Sequence, residues 1–88
     1  MPYATNNATI VDVRTPGEFN SQHVAGAINI PLDQVAQRIE EFKEMDKPIV
    51  AYCRSGNRSG MAVAILKQNG INEAVNGGGL DEMLQATK

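Results

Sequence analysis

Hydrophobic residues occur along this chain in short runs that alternate with longer amphipathic stretches. Three of the runs, TIVDV (residues 9–13), AINI (27–30) and IVAY (49–52), are rich in β-branched residues, and we interpret them as buried strands. A fourth run, residues 73–76, is short and more polar, which favours an edge strand. Strands of this kind, separated by helices, predict an α/β fold with a small, mostly parallel sheet flanked by helices.

Four helical segments are predicted around these strands. The stretch TPGE, residues 15–18, has a capping hydroxyl, a proline at the first helical position and a glutamate three residues after the cap, so a helix is expected over residues 16–22. Apolar residues recur at helical spacing over residues 32–42 and again over 61–66. A last helix is expected over residues 80–84, after a turn made by the glycine run 77–79.

Length and composition indicate an ordinary globular protein. The 88 residues are expected to form a single domain over 1–88, with 1–8 as a short lead-in, and 42% of them are hydrophobic and 20% charged. The net charge of −2 gives no reason to expect nucleic acid or a membrane surface as partner. We expect a monomer.

The N-terminus favours a cytoplasmic location. The stretch MPYATNNATIVDV lacks the basic region and long apolar core of a signal peptide. A leader removed beforehand would leave the same sequence, and the periplasm is therefore the alternative compartment.

The chain contains one cysteine, Cys53, and one histidine, His23. This pair is too small for an internal disulfide or for a zinc site, which takes three or four protein ligands, so we expect no metal and no cofactor. His23 lies in a connecting segment and is interpreted as a structural turn residue. A Cys–His hydrolase is a less favoured alternative.

Cys53 lies in the stretch AYCRSGNRSGMAV, residues 51–63, directly after the third predicted strand. Ligands of parallel sheets bind at that end of the strands. A lone cysteine is usually a buried filler, but residues 54–59 are too polar to pack in an apolar core. The sequence therefore predicts a reactive thiol in a loop.

The loop is suited to hold an anion. A cysteine reacts as its thiolate, and three features would favour that form: the backbone N–H groups of a tight loop, the positive end of a helix beginning near Ser59, and the charges of Arg54 and Arg58. Gly56 permits the left-handed backbone that such a loop needs. Residues 53–59 carry a charge of +2 while the rest carries −4, which suits an anionic substrate. Sulfur bound to sulfur is a target that needs no general base.

Three segments together resemble the rhodanese family of sulfurtransferases: DVRTPGEFNSQHVAGAINIPL (residues 12–32), CRSGNRS (53–59) and the glycine run 77–79. The resemblance covers residues 9–83 and is closest to the short single-domain members. It implies that Cys53 takes a sulfur atom from thiosulfate, or a similar anionic donor, as a persulfide. Cyanide or a thiol would then accept that sulfur.

The resemblance also implies roles for individual residues. Arg54 and Arg58 are the candidates for binding the donor, and the backbone of the segment Arg54–Arg58, with Ser55, Gly56 and Asn57, cradles the persulfide. Ser55 and Ser59 donate hydrogen bonds or brace the loop. A structural role is expected for Asp12, which would anchor the loop, and for Arg14, which would pair with Glu18.

The chain departs from the family at two places. The family usually begins with an additional strand and helix before the segment that starts at Thr9, so one sheet edge is expected to be trimmed. The family also tends to have tryptophan where Met83 stands, and the last helix is expected to pack less tightly.

The sequence is also compatible with two alternative functions. A cysteine phosphatase has five residues between nucleophile and arginine, whereas Arg58 follows Cys53 after only four. The second alternative is a persulfide carrier or protein-interaction module without turnover. Inactive modules of the family commonly lack the cysteine that this chain retains.

Overall fold

The computed structural model of the chain describes residues 8–86, which form a parallel four-stranded sheet with helices on both faces. The predicted α/β class is therefore confirmed. The strands are β1 (Thr9–Asp12), β2 (Ile28–Asn29), β3 (Ile49–Cys53) and β4 (Ala74–Gly79). The helices are α1 (Pro16–Ser21), α2 (Leu32–Val35), α3 (Ile39–Lys43), α4 (Asn57–Gln68) and α5 (Leu80–Ala86), and a 3₁₀ turn, Ala36–Arg38, joins α2 to α3.

Strand β3 lies in the interior of the sheet, whose order is β2-β1-β3-β4. Thr9 of β1 pairs with Ile49, and Ala74 of β4 pairs with the same residue from the other side. All five residues of β3 are buried, because each of its faces is covered and each of its edges is paired. This position explains why the run IVAYC is almost continuously apolar.

Side chains alternate along β3 and so divide the core into two layers. Ile49, Ala51 and Cys53 face α2, α3 and α4, while Val50 and Tyr52 face α5 and the segment after α1. The first layer contains Val11, Val13, Ile30, Val35, Ile39, Phe42, Ala62, Leu66, Ile71 and Ala74, and the second contains Val24 and Met83. The helices thus hold the carboxyl end of β3 from both sides.

Three local predictions require correction. AINI is not a buried strand, because β2 comprises only Ile28–Asn29 at a sheet edge and Ile28 is 43% exposed. The helix expected over residues 32–42 is divided by the 3₁₀ turn, although its predicted apolar residues still face the core. The first helix ends at Ser21, one residue earlier than predicted.

The glycine run 77–79 is strand and not turn, which is a fourth correction. Strand β4 continues to Gly79, and α5 begins at the next residue. The pairing shifts between Ala51–Asn76 and Tyr52–Gly78, so Gly77 is the extra residue of a β-bulge. A Cβ on Gly77 would lie 2.6 Å from Met83 Sδ, so glycine there lets α5 pack directly against the strand. Met83 itself is fully buried against β4.

Two further expectations concern the N-terminal part of the chain. Of the lead-in expected over residues 1–8, residues 1–7 lie outside the described residues, and the expectation of a trimmed sheet edge falls there as well. Between residues 8 and 86 no helix is both long and apolar enough to cross a membrane.

A buried ion pair joins β1 to the segment that follows it. The Arg14 guanidinium donates to both oxygens of Asp12, with a shortest distance of 2.6 Å, and the two side chains are 6% and 0% exposed. The same guanidinium donates to the carbonyl of Gln22, just after α1. Asp12 therefore anchors the β1–α1 connection, and the prediction that Arg14 pairs with Glu18 is wrong.

Replacing Asp12 with alanine is expected to destabilise the fold strongly, because the Arg14 guanidinium would remain buried without its carboxylate. The free energy of unfolding should fall by about 3 kcal/mol, as measured by urea denaturation. Glu41→Ala is the matched control, since Glu41 pairs with Arg38 on the surface and the loss of such a pair changes stability little. Equal losses in the two variants would contradict a structural role for the buried pair.

Candidate active site

The loop that follows β3 lies at the carboxyl end of the sheet. Cys53 is the last residue of β3, the loop Arg54–Gly56 follows, and α4 begins at Asn57. Gly56 has φ = +98°, a left-handed conformation that other residues rarely adopt. This conformation turns the chain sharply from the strand into the helix, so that the first amides of α4 lie close to the cysteine.

Two backbone amides and one hydroxyl surround the Cys53 sulfur. Gly56 N lies 3.0 Å from Sγ, and the backbone N and Oγ of Ser59 lie 3.4 and 3.5 Å from it. Gly56 is the N-cap of a 12-residue helix and Ser59 lies in its first turn, so the positive end of the helix adds to the partial charges of these amides. Such an arrangement favours negative charge on the sulfur.

Cys53 is nevertheless buried. Its exposed fraction is 0%, and its side chain packs with the apolar layer beneath α4. We predicted that the polar neighbours would keep the residue out of a core, and this was wrong: Arg54, Ser55 and Asn57 are exposed while Cys53 faces inward. The thiol therefore packs against apolar side chains on one side and faces backbone amides on the other.

The balance of these surroundings lowers the pKa of Cys53 below its ordinary value. Burial by itself would raise that pKa, but hydrogen bonds from the Ser59 hydroxyl and from the amides of Ser59, Ser55 and Gly56 outweigh it. The lowering thus comes mainly from hydrogen bonds and less from the arginine charges that the sequence emphasised.

Arg58 is held by an ion pair with α1. Its guanidinium donates to both carboxylate oxygens of Glu18 at 2.8 and 3.1 Å. Glu18 is also the third residue of a capping box with Thr15, so the carboxylate is fixed from two sides. Arg58 first, and then the Thr15 amide, lower the pKa of Glu18 to about 2.

Arg54 differs from Arg58 in lacking a carboxylate partner. Within residues 8–86 its guanidinium forms no ion pair, and the side chain is exposed. It borders a cavity of about 330 Å³ at the carboxyl end of the sheet, which is lined by Arg14, Glu18, Ser21, Gln22, Arg54, Leu80 and Asp81. Of Arg54 and Arg58, Arg54 is the one whose charge is unpaired among residues 8–86 and can bind an anion from solvent.

The end of β4 supports the loop from below. A Cβ on Gly79 would overlap the carbonyl oxygen of Arg54, so only glycine allows this close approach. Gly79 N donates to the Glu82 carboxylate at 2.8 Å, in the first turn of α5. The sequence indicated that the glycines form a motif, but it did not show that Gly79 packs against the backbone of the cysteine loop.

Asn76 is a residue of the site that the sequence analysis missed. Its side chain receives a hydrogen bond from Ser59 Oγ at 2.6 Å and donates one to the carbonyl of Gly56 at 3.1 Å. The only signal in the sequence is its position immediately before the glycine run. His23, in contrast, stacks on Phe19 and contacts the Phe19 carbonyl through Nδ1, as expected of a turn residue.

These features define a class of protein: a small parallel α/β domain with one cysteine at a strand end, under a loop whose amides face the sulfur. The sequence profile of the rhodanese-like domain matches residues 2–86, and the chain belongs to that family. The recognised resemblance is thereby confirmed.

Individual relatives agree with this assignment. The chain is 39% identical to the thiosulfate sulfurtransferase PspE of Escherichia coli over 74 residues, which are 83% of this chain and 71% of PspE. It is 46% identical to the uncharacterized protein YqhL of Bacillus subtilis over 69 residues, 78% of this chain but only 54% of YqhL. A solved E. coli structure described as a rhodanese with anions superposes with a TM-score of 0.78 at 38% identity, covering 85% of this chain and 89% of that one.

The Arg58–Glu18 pair should make stability depend on pH in the acid range. Because the pKa of Glu18 is lowered in the folded state to about 2, its contribution is complete above the ordinary value of 4.5 and is lost as the pH falls through about 2. The difference in unfolding free energy between wild type and Glu18→Gln should therefore shrink over that interval, as measured by urea denaturation at a series of pH values. In an Arg58→Ala background the same substitution should show a weaker pH dependence, and an equal one would contradict the pairing.

Proposed function

We propose that this protein is a sulfurtransferase in which Cys53 carries the transferred sulfur. The Cys53 thiolate attacks the outer sulfur of thiosulfate, the new S–S bond forms as the S–S bond of thiosulfate breaks, and sulfite leaves with the electron pair. A thiolate or cyanide then attacks the outer sulfur of the persulfide and restores the Cys53 thiolate. The observation that carries this proposal is the convergence of two backbone amides on Sγ.

The relatives support the same chemistry. PspE is named a thiosulfate sulfurtransferase, and so is GlpE of Pseudomonas syringae, to which the chain is 37% identical over 73 residues. A solved relative is described as containing anions, which suits a site that receives an anionic donor. The reaction needs no general base, in agreement with a His23 ring that stacks on Phe19.

The amides have a defined task in this scheme. The thiolate and the persulfide are both anions, and the N–H groups of Gly56 and Ser59 stabilise whichever of them is present. Since Sγ is buried, the carboxyl end of the sheet has to open locally for the donor to reach the sulfur. The apolar floor beneath Cys53 then keeps water from one side of the reacting atoms.

Arg54 and Arg58 take different roles. Arg54 borders the cavity without an ion pair among residues 8–86, and we assign it to the thiosulfate dianion. Arg58 is engaged with Glu18 and holds the first turn of α4 against α1, so its effect on the donor is mainly through the shape of the loop. Ser55 and Asn57 lie at the exposed rim, where they contribute backbone and side-chain donors to the bound anion.

Incubation with thiosulfate should add one sulfur atom to the protein, because sulfur transfer leaves a persulfide on Cys53. Intact mass spectrometry should detect that addition, cyanide should remove it, and Cys53→Ser should never acquire it. With cyanide present, sulfite should be released over many turnovers.

Each other outcome of this experiment identifies a different function. One equivalent of sulfur loaded without repeated sulfite release would indicate a carrier and overturn the enzyme proposal. No loading, together with Cys53-dependent phosphate release from a chromogenic ester, would indicate the phosphatase alternative.

Replacing Arg54 with alanine should weaken thiosulfate binding more than catalysis. Loss of a charge-assisted contact to the donor should raise the KM for thiosulfate roughly tenfold, with a smaller change in kcat. Steady-state sulfite release at varied thiosulfate concentration measures both constants. Arg38→Ala is the matched control, because Arg38 pairs with Glu41 at the surface far from the loop in sequence. A KM unchanged from wild type in Arg54→Ala would contradict the assignment.

A further inference from the structure

Asn76 connects β4 to both residues whose amides face the Cys53 sulfur. Its Oδ1 accepts hydrogen bonds from Ser59 Oγ at 2.6 Å and from Gly78 N at 2.9 Å, and its Nδ2 donates to the carbonyl of Gly56 at 3.1 Å. Gly56 and Ser59 are the residues whose N–H groups lie 3.0 and 3.4 Å from Sγ. The side chain of Asn76 thus contacts both residues through atoms other than the amides that face the sulfur.

The orientation of the Asn76 amide follows from its two backbone partners. A backbone N–H can only donate and a carbonyl oxygen can only accept, so Gly78 N requires Oδ1 and the Gly56 carbonyl requires Nδ2. Ser59 Oγ donates to that oxygen at 2.6 Å, and the Gly56 carbonyl at 3.1 Å and Cys53 Sγ at 3.5 Å are the other acceptors within reach of its single proton. The short bond to Asn76 thus fixes the position of the hydroxyl beside the sulfur.

The β-bulge explains why Asn76 can make these contacts. Asn76 still pairs with Ala51 in register, but the extra residue Gly77 then turns the chain, and Gly78 has φ = +90°. This turn brings the N–H of Gly78 back to the side chain of Asn76. The strand end thus holds the asparagine in the conformation that contacts α4.

We propose that Asn76 is a positioning residue for Cys53, which holds Gly56 and Ser59 so that their amides point at the sulfur. The inference rests on the proposed role of Cys53 as a thiolate nucleophile. It assigns to Asn76 no contact with the substrate. Without the asparagine, the Gly56 carbonyl keeps only its bonds from Gly60 N and Ser59 Oγ, both of which belong to α4. Apart from Cys53 itself, no side chain among residues 8–86 would then tie Gly56 and Ser59 to the sheet by a hydrogen bond, and their amides would be less firmly directed at Sγ.

Replacing Asn76 with a neutral residue leaves the charged groups near the end of β3 unchanged. The charged groups around Cys53 are Arg54 in the loop, Arg58 of α4 with its partner Glu18 of α1, Asp12 and Arg14 at the end of β1, and Glu82 of α5. None of them forms a hydrogen bond with Asn76. A shift in the titration of Cys53 in a neutral Asn76 variant would therefore report the hydrogen-bond donors that Gly56 and Ser59 present to the sulfur.

The test is the titration of the Cys53 thiolate in Asn76→Ala, followed by ultraviolet absorbance with Cys53→Ser as the blank. The midpoint should rise above that of wild type, and the thiolate-to-thiol ratio at a fixed pH between the two midpoints should fall roughly three- to tenfold, the effect of losing one or two hydrogen bonds. Asn69→Ala is the matched control, since Asn69 also donates to a backbone carbonyl of α4, at the opposite end of that helix. Its midpoint should equal that of wild type.

A second variant, Asn76→Asp, keeps the acceptor for Ser59 and Gly78 but places an oxygen against the Gly56 carbonyl. Its midpoint should also rise, and the rise should persist in high salt, where the charge of an exposed carboxylate is screened. A wild-type midpoint in Asn76→Ala, or in Asn76→Asp at high salt, would overturn the proposal.

This titration uses no sulfur donor and is independent of transfer activity. A raised midpoint in Asn76→Ala with no sulfite release by wild type would refute the sulfurtransferase while leaving the positioning role intact. Normal sulfite release by wild type, together with an unchanged midpoint in Asn76→Ala, would refute the positioning role of Asn76 while leaving the sulfurtransferase intact.

Discussion

The site depends on two backbone amides that point at one buried sulfur. Burial in an apolar layer opposes charge on Cys53, and only the hydrogen bonds of the loop and of the first turn of α4 reverse that preference. Because these donors are backbone groups, their direction is set by the path of the chain. The left-handed Gly56 and the start of α4 at Asn57 are therefore the features that create the chemistry of the thiol.

The rest of the carboxyl end of the sheet fixes that path. In β4, Gly79 allows the strand to approach the loop backbone, and Asn76 ties Gly56 and Ser59 to the strand. In α1, Glu18 binds Arg58 and holds the first turn of α4 against α1. The residues around Cys53 thus divide between those that shape the loop and Arg54, whose charge is left available to an anion.

The ion pairs of the site could not be predicted from the sequence, although the residues that form them could. The sequence points to Asp12, Arg14, Glu18 and Arg58, but the partner expected for Arg14 is Glu18. In the fold Arg14 turns back to Asp12, and Glu18 reaches Arg58, 40 residues away. The missed Asn76 is a similar case, since a polar residue in a short edge strand has no periodic signal to distinguish it.

The sequence by itself determined the α/β class, the place of the cysteine at the end of the third apolar run, and a polar, basic loop beside it. Those properties follow from local patterns: apolar runs, capping residues and glycines act on their immediate neighbours. Only the tertiary structure decided that the thiol is buried, which carboxylate each arginine binds, and that the glycine run is a bulged strand supporting the loop. The contact between Glu18 and Arg58 and that between Gly79 and the loop join residues distant in sequence. Arg14 has two carboxylates close to it in sequence, so the packing of the sheet against its helices selects among chemically equivalent partners.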